Sequence, residues 1–93
     1  MPAKMTCPEV GNALVALPGW AADGDAIVRT FTFADHIAAM GFVTKVAMAA
    51  EVADHHPELT LLYNTVRIKL WSHDSGGVTQ RDIKLAARIN TYE

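Results

Sequence analysis

The chain has 93 residues, a formal net charge of −2 and a pI near 6.0, so it lacks the broad basic footprint with which nucleic-acid binders neutralise phosphates, and nucleic acid is not an expected partner. Hydrophobic residues make up 51% of it and charged residues 19%, more apolar than a lone small domain requires, which predicts a homo-oligomer. The one cysteine cannot form an internal disulfide, and the chain opens with neither a charged-then-apolar leader nor a long hydrophobic run. The expectation is a single domain over residues 1–93, cytoplasmic and without a membrane partner.

Thr6-Cys7-Pro8-Glu9 predicts a helix start, with threonine at the N-cap, proline in the first turn and glutamate three residues after the cap. Val10, Ala13, Leu14 and Leu17 continue one apolar face until Pro18-Gly19, so this is a packing helix. Cys7 lacks the sequence neighbours of an activated nucleophile and is assigned no chemistry.

Residues 19 to 33 read as two strands around an Asp-Gly turn. In the second strand Ile27, Arg29, Phe31 and Phe33 share one face and Val28, Thr30 and Thr32 the other, so one face is buried and the other wetter. Trp20, at the start of the first strand, is expected to cover a core edge.

From Ala34 to about Asp54 the only turn residue is Gly41, which predicts a helix roughly 30 Å long at 1.5 Å per residue. Ile37, Met40, Gly41, Thr44 and Met48 form one stripe; Phe42, Val46, Ala49 and Ala53 form another. One stripe can face the sheet, and the other calls for a second subunit. His36, in the first turn, is expected at the surface.

Leu59–Tyr63 and Val66–Trp71 read as two further strands with Asn64 at the turn between them; Val66, Ile68 and Leu70 point inward, and Arg67, Lys69, Trp71 and then His73 point to the more polar side. Residues 72–77 are expected to be a flexible loop, and Thr79-Gln-Arg-Asp82 to cap a last helix with Ile83, Leu85, Ala86 and Ile89 on its apolar face. The order α-β-β-α-β-β-α predicts an α+β fold, a four-stranded antiparallel sheet with helices packed on one face.

The chemistry-bearing stretch is Glu51-Val-Ala-Asp54-His55-His56-Pro57-Glu58. Adjacent histidines diverge on a helix or a strand, but Pro57 biases His56 toward extended backbone, so His55 is expected to end the helix and His56 to start the loop, with both rings re-aimed toward one pocket. Glu51, four residues before His55, shares its helix face if the helix lasts that long, and is the expected orienting carboxylate. No His-x-x-x-His or Cys-x-x-Cys spacing occurs, so a metal site is not expected. Spacing alone leaves proton-transfer chemistry and solvated helix-terminal cations equally open.

Glu51-x3-His55-His56-Pro57-Glu58, Tyr63-Asn64, Ser72-His73 and Arg81-Asp82-Ile83, with Gly19-Trp20, Phe31-x-Phe33 and Gly41-Phe42-x-Thr44-x-Val46-Ala47 before them, resemble the pterin-4a-carbinolamine dehydratases over nearly the whole chain. The resemblance implies loss of water from a 4a-hydroxytetrahydropterin to give the quinonoid dihydropterin, without a metal or organic cofactor. It implies that His55, His56 and His73 are the active-site histidines, with His55 and His73 moving protons and His56 binding and polarising the substrate. Glu51 and Pro57 are then substrate-side residues, while Asp54 and Asp82 belong to the motif with structural roles. Leu59 departs from the aromatic residue common after His-His-Pro-Glu, which bears on any stacking contact at the pocket rim. A homodimer or homotetramer through the long helix and sheet edge, and an aromatic amino acid hydroxylase in the same pathway, are also implied. The competing expectation is a non-catalytic coactivator module of the same fold.

Overall fold

A computed structural model describes residues 2–93. Helix α1 (Cys7–Leu14) begins at Thr6, whose side chain accepts from the Glu9 N–H while Glu9 reaches back to the Thr6 N–H. Both halves of the predicted capping box are thus formed. The regular helix ends at Leu14, short of Pro18, because successive turns from Val15 to Gly19 finish the segment, and those turns still bury Leu17.

Strands β1 (Ala21–Asp23) and β2 (Ala26–Thr32) pair antiparallel around Gly24-Asp25. Gly24 has φ +59 and Asp25 has negative φ, the pattern of a type II′ turn. The first central residue is therefore the glycine, and the aspartate before it closes the strand. β3 (Glu58–Leu62) and β4 (Thr65–Leu70) form the second hairpin, and the sheet order is β1-β2-β4-β3. Its turn centres on Tyr63-Asn64, and Tyr63 takes the left-handed conformation (φ +52). Asn64 braces the turn instead, through two bonds of 2.9 Å with the Phe33 backbone.

The register of β2 against β4 sets Ile27 opposite Leu70, Arg29 opposite Ile68 and Phe31 opposite Val66. Ile27, Val66, Ile68 and Leu70 are fully buried beneath the helices, as the alternation predicts. On the open face Asp23 lies 3.5 Å from both Arg67 and Lys69. Trp20 is buried edge-on to Phe31 and donates its Nε1–H to Asn90 (2.8 Å), so it is a core residue.

Helix α2 (His36–Ala53), capped by Asp35, lays Ala39, Phe42, Val46 and Ala50 on the core. Its other stripe is uncovered: Ile37 is 82% exposed, Met48 65% and Val52 91%. The 72–77 segment, expected as a loop, contains a local hydrogen-bonded turn. His73–Ser75 form a 3-10 turn closed by a bridge between Ser72 and Gly77. Helix α3 (Gln80–Asn90) starts at the predicted Thr79 cap and packs against α2 through Leu85, Ala86 and Ile89.

Candidate active site

The site is built where α2 stops. Asp54 adopts the left-handed conformation (φ 50), and the His55 N–H bonds back to the Ala50 carbonyl at 3.1 Å, the six-to-one closure of a Schellman end. The helix therefore ends two residues before His55, earlier than the sequence suggests. Asp54 is the reversal residue, and its short polar side chain makes it one of the few non-glycine types that accept this backbone.

The reversal sends the two rings apart. His55 turns into the protein and is 9% exposed, whereas His56 stays at the surface. Glu51 consequently pairs with His56 (Oε1 to Nε2, 2.6 Å) and not with His55, as its i+4 spacing had predicted. The i+4 relation requires a helix through residue 55, and the left-handed Asp54 removes it.

The carboxylate that holds His55 is Asp82. His55 Nε2–H donates to Asp82 Oδ1 at 2.5 Å, and Asp82 is completely buried. The second oxygen, Oδ2, accepts from Ser72 Oγ (2.9 Å) and from the Thr79 N–H (2.9 Å), while the Ser72 and Thr79 hydroxyls share a 2.8 Å bond. A buried carboxylate with both oxygens occupied is positioned rigidly. It fixes the ring orientation of His55 and leaves Nδ1 with no hydrogen-bond partner among the described residues. Asp82 thus caps α3, as predicted, and also orients His55.

His73 opens the 3-10 turn and is exposed. Its Nδ1 accepts from Trp71 Nε1–H (3.3 Å), and the two ring centroids are 4.6 Å apart. That contact leaves Nε2 to carry the proton of a neutral ring. The antiparallel pairing ends with Glu58 opposite Lys69, so His56-Pro57 enters the sheet at the same end that Trp71-Ser72-His73 leaves it. Ser72, next to His73, is itself tied to Asp82 and so to His55. The three histidines are gathered at one end of the molecule by one strand pair and one carboxylate.

An open groove of about 560 Å³ lies between α2 and α3. His55 lines it, and His56 and His73 do not, so the enclosed space belongs to one flank of the site and the other two imidazoles present an open face. Arg81, on that groove, pairs with Asp74 and holds the Asp74 carboxyl below its usual range, chiefly by hydrogen bonding.

Sequence reasoning missed Ser72, Thr79 and Trp71 as supports of the histidines, and missed the second role of Asp82. Pro57 is half-buried at the start of β3. Leu59 is also half-buried and packs against the core opposite Ile68, so its departure from an aromatic falls on a packing position.

Residues 3–92 match the family described as pterin 4 alpha carbinolamine dehydratase. The chain belongs to the pterin-4a-carbinolamine dehydratase family. A relative from Koribacter versatilis, provisionally named pterin-4-alpha-carbinolamine dehydratase, is 53% identical over 90 residues, covering 97% of this chain and 96% of its own. A relative from Nitrobacter winogradskyi with the same provisional name is 54% identical over 81 residues, covering 85% of this chain and 80% of its own. Among solved structures, a transcriptional coactivator/pterin dehydratase from Brucella melitensis superposes with a TM-score of 0.92 at 44% identity, covering 96% of this chain and 97% of that one. A pterin dehydratase-like protein described as a RuBisCO assembly factor in the alpha-carboxysome shares the fold at 18% identity, with a TM-score of 0.66 over 78% of this chain and 84% of its own. The two named relatives thus cover 97% and 85% of this chain, and the same fold occurs in one protein described as an assembly factor.

Proposed function

We propose that this protein dehydrates a 4a-hydroxytetrahydropterin to the quinonoid dihydropterin by histidine acid–base catalysis. The supporting observation is the buried His55–Asp82 pair at 2.5 Å, set at the end of the molecule where His56 and His73 also lie. The C4a–O bond breaks with its electron pair leaving on oxygen. One imidazolium gives that oxygen a proton, so that water departs, and a neutral imidazole takes a ring N–H proton as the C=N bond forms. No electron is gained or lost overall, and the two proton transfers balance. His55, oriented by Asp82, and His73, oriented by Trp71, carry the protons. His56, paired with Glu51, binds and polarises the substrate.

A family name and a fold do not by themselves establish chemistry, and the Brucella melitensis relative is described by coactivation as well as dehydration. The uncovered α2 stripe is the feature that suits a binding module. The same stripe supports assembly into a homodimer or homotetramer, and the carbinolamine that a pterin-dependent aromatic amino acid hydroxylase releases supplies the substrate class. The deciding experiment adds purified protein to enzymatically generated 4a-carbinolamine. Acceleration that disappears in the His55→Ala, His73→Ala double variant, with assembly intact by light scattering, supports the enzyme. A rate equal to the uncatalysed one with wild-type protein rejects it in favour of the binding module.

A further inference from the structure

The groove between α2 and α3 is lined on its apolar side by Met48, Ala49, Val52 and Ala53 of α2 and Leu85 of α3, with His55 beside them. Its charged residues are Arg81, Lys84 and Arg88, and no carboxylate lines it. These three lie at i, i+3 and i+7 on α3, so they share one face and span roughly 10 Å of helix. Lys84 has no carboxylate partner among the described residues, and Arg88 donates its Nε–H only to the neutral Tyr92 hydroxyl (3.0 Å). Arg81 is tied to Asp74 at one nitrogen, while its Nε is buried and makes no hydrogen bond among the described residues.

We propose that this groove is an anion subsite beside His55, and that the pterins this protein takes carry an acidic side-chain substituent, a phosphate or carboxylate, held by Lys84 and Arg88. The inference rests on the dehydratase reading and specifies its substrate. A space of about 560 Å³ is in the range of small-ligand sites. Apolar side chains beside His55 with unpaired cations along α3 suit the charged substituent of a pterin whose ring meets the histidines at the end of the groove. A second copy of the chain covering the groove with its uncharged α2 stripe would instead bury Lys84 and Arg88 without a counter-charge, which is unfavourable.

The test titrates the full-length protein with 6-hydroxymethylpterin and with its monophosphate, which differ only in the anion, and follows pterin fluorescence. The phosphorylated ligand should bind about tenfold tighter at low salt, and the advantage should shrink as ionic strength rises. In the Lys84→Ala, Arg88→Ala double variant the ratio of the two affinities should fall close to one, while Lys45→Ala, an exposed cation outside the groove, should retain it. Should the double alanine variant fail to fold, the Lys84→Gln, Arg88→Gln pair gives the same comparison with the stems preserved. Equal wild-type affinities, or an advantage that survives the double substitution, would overturn the subsite. That result together with accelerated dehydration of a neutral-side-chain carbinolamine leaves the enzyme standing and removes only the subsite. Absence of both pterin binding and dehydration removes the enzyme reading and the subsite together.

Discussion

Asp82 joins two parts of the molecule with one carboxylate. Oδ2 caps α3 at the Thr79 N–H, and Oδ1 holds His55, 27 residues away in sequence. Asp82→Asn keeps an acceptor for the cap and replaces a carboxylate with an amide at His55. We expect kcat for dehydration to fall roughly 10²-fold with KM changed by less than about threefold, measured by steady-state kinetics on folded protein. A purely structural Asp82 would instead lower the melting temperature and leave the kcat of the folded fraction unchanged. The capping half of this role was legible in the sequence, because Thr79 and Asp82 are three residues apart and a capping box is a local pattern. The His55 half was not, because no local spacing relates residues 55 and 82. Glu51 shows the converse: its spacing to His55 was legible and misleading, since it presupposed a backbone that Asp54 does not adopt.

At the scale of the element, the end of α2 decides where both histidines go. Asp54→Gly keeps the left-handed reversal without a Cβ, whereas Asp54→Val puts a β-branched side chain where φ is 50. We expect Asp54→Val to lose about 1–2 kcal/mol of stability, read as a lower urea midpoint, and to lose dehydratase activity as His55 leaves Asp82. Asp54→Gly should retain the activity and a midpoint near that of wild type. Had the helix continued through His55, as the unbroken run from Ala34 suggested, Asp54→Gly would be the more damaging change. Caps at Thr6 and Thr79 and strand alternation in β2 and β4 followed directly from residue type and period. The left-handed stop did not, because aspartate tolerates that conformation without advertising it as glycine does. Tyr63 is a second such case, a non-glycine residue holding a tight turn while the neighbouring Asn64 supplies the bracing bonds.

For the whole molecule, α2 carries an exposed apolar stripe, whose Met48 and Val52 line the groove and whose Ile37 and Met40 lie outside it. The proposed assembly covers the Ile37 and Met40 end. Ile37→Glu with Met40→Glu, both outside the groove, should shift the protein to monomer by light scattering while far-UV circular dichroism stays unchanged. Oligomers of undiminished size in this variant would place the interface elsewhere. The sequence by itself determined the α-β-β-α-β-β-α order, the antiparallel sheet and the inward faces of its strands, because these depend on period, capping and turn chemistry within short windows. Only the tertiary structure decided that β2 and β4 are neighbours, that Ser72 bridges to Gly77 around a 3-10 turn, and that Asp82 rather than Glu51 holds His55. The strand neighbours and the His55–Asp82 pair depend on contacts between segments far apart in the chain, and the loss of the Glu51–His55 pairing depends on the backbone reversal at Asp54.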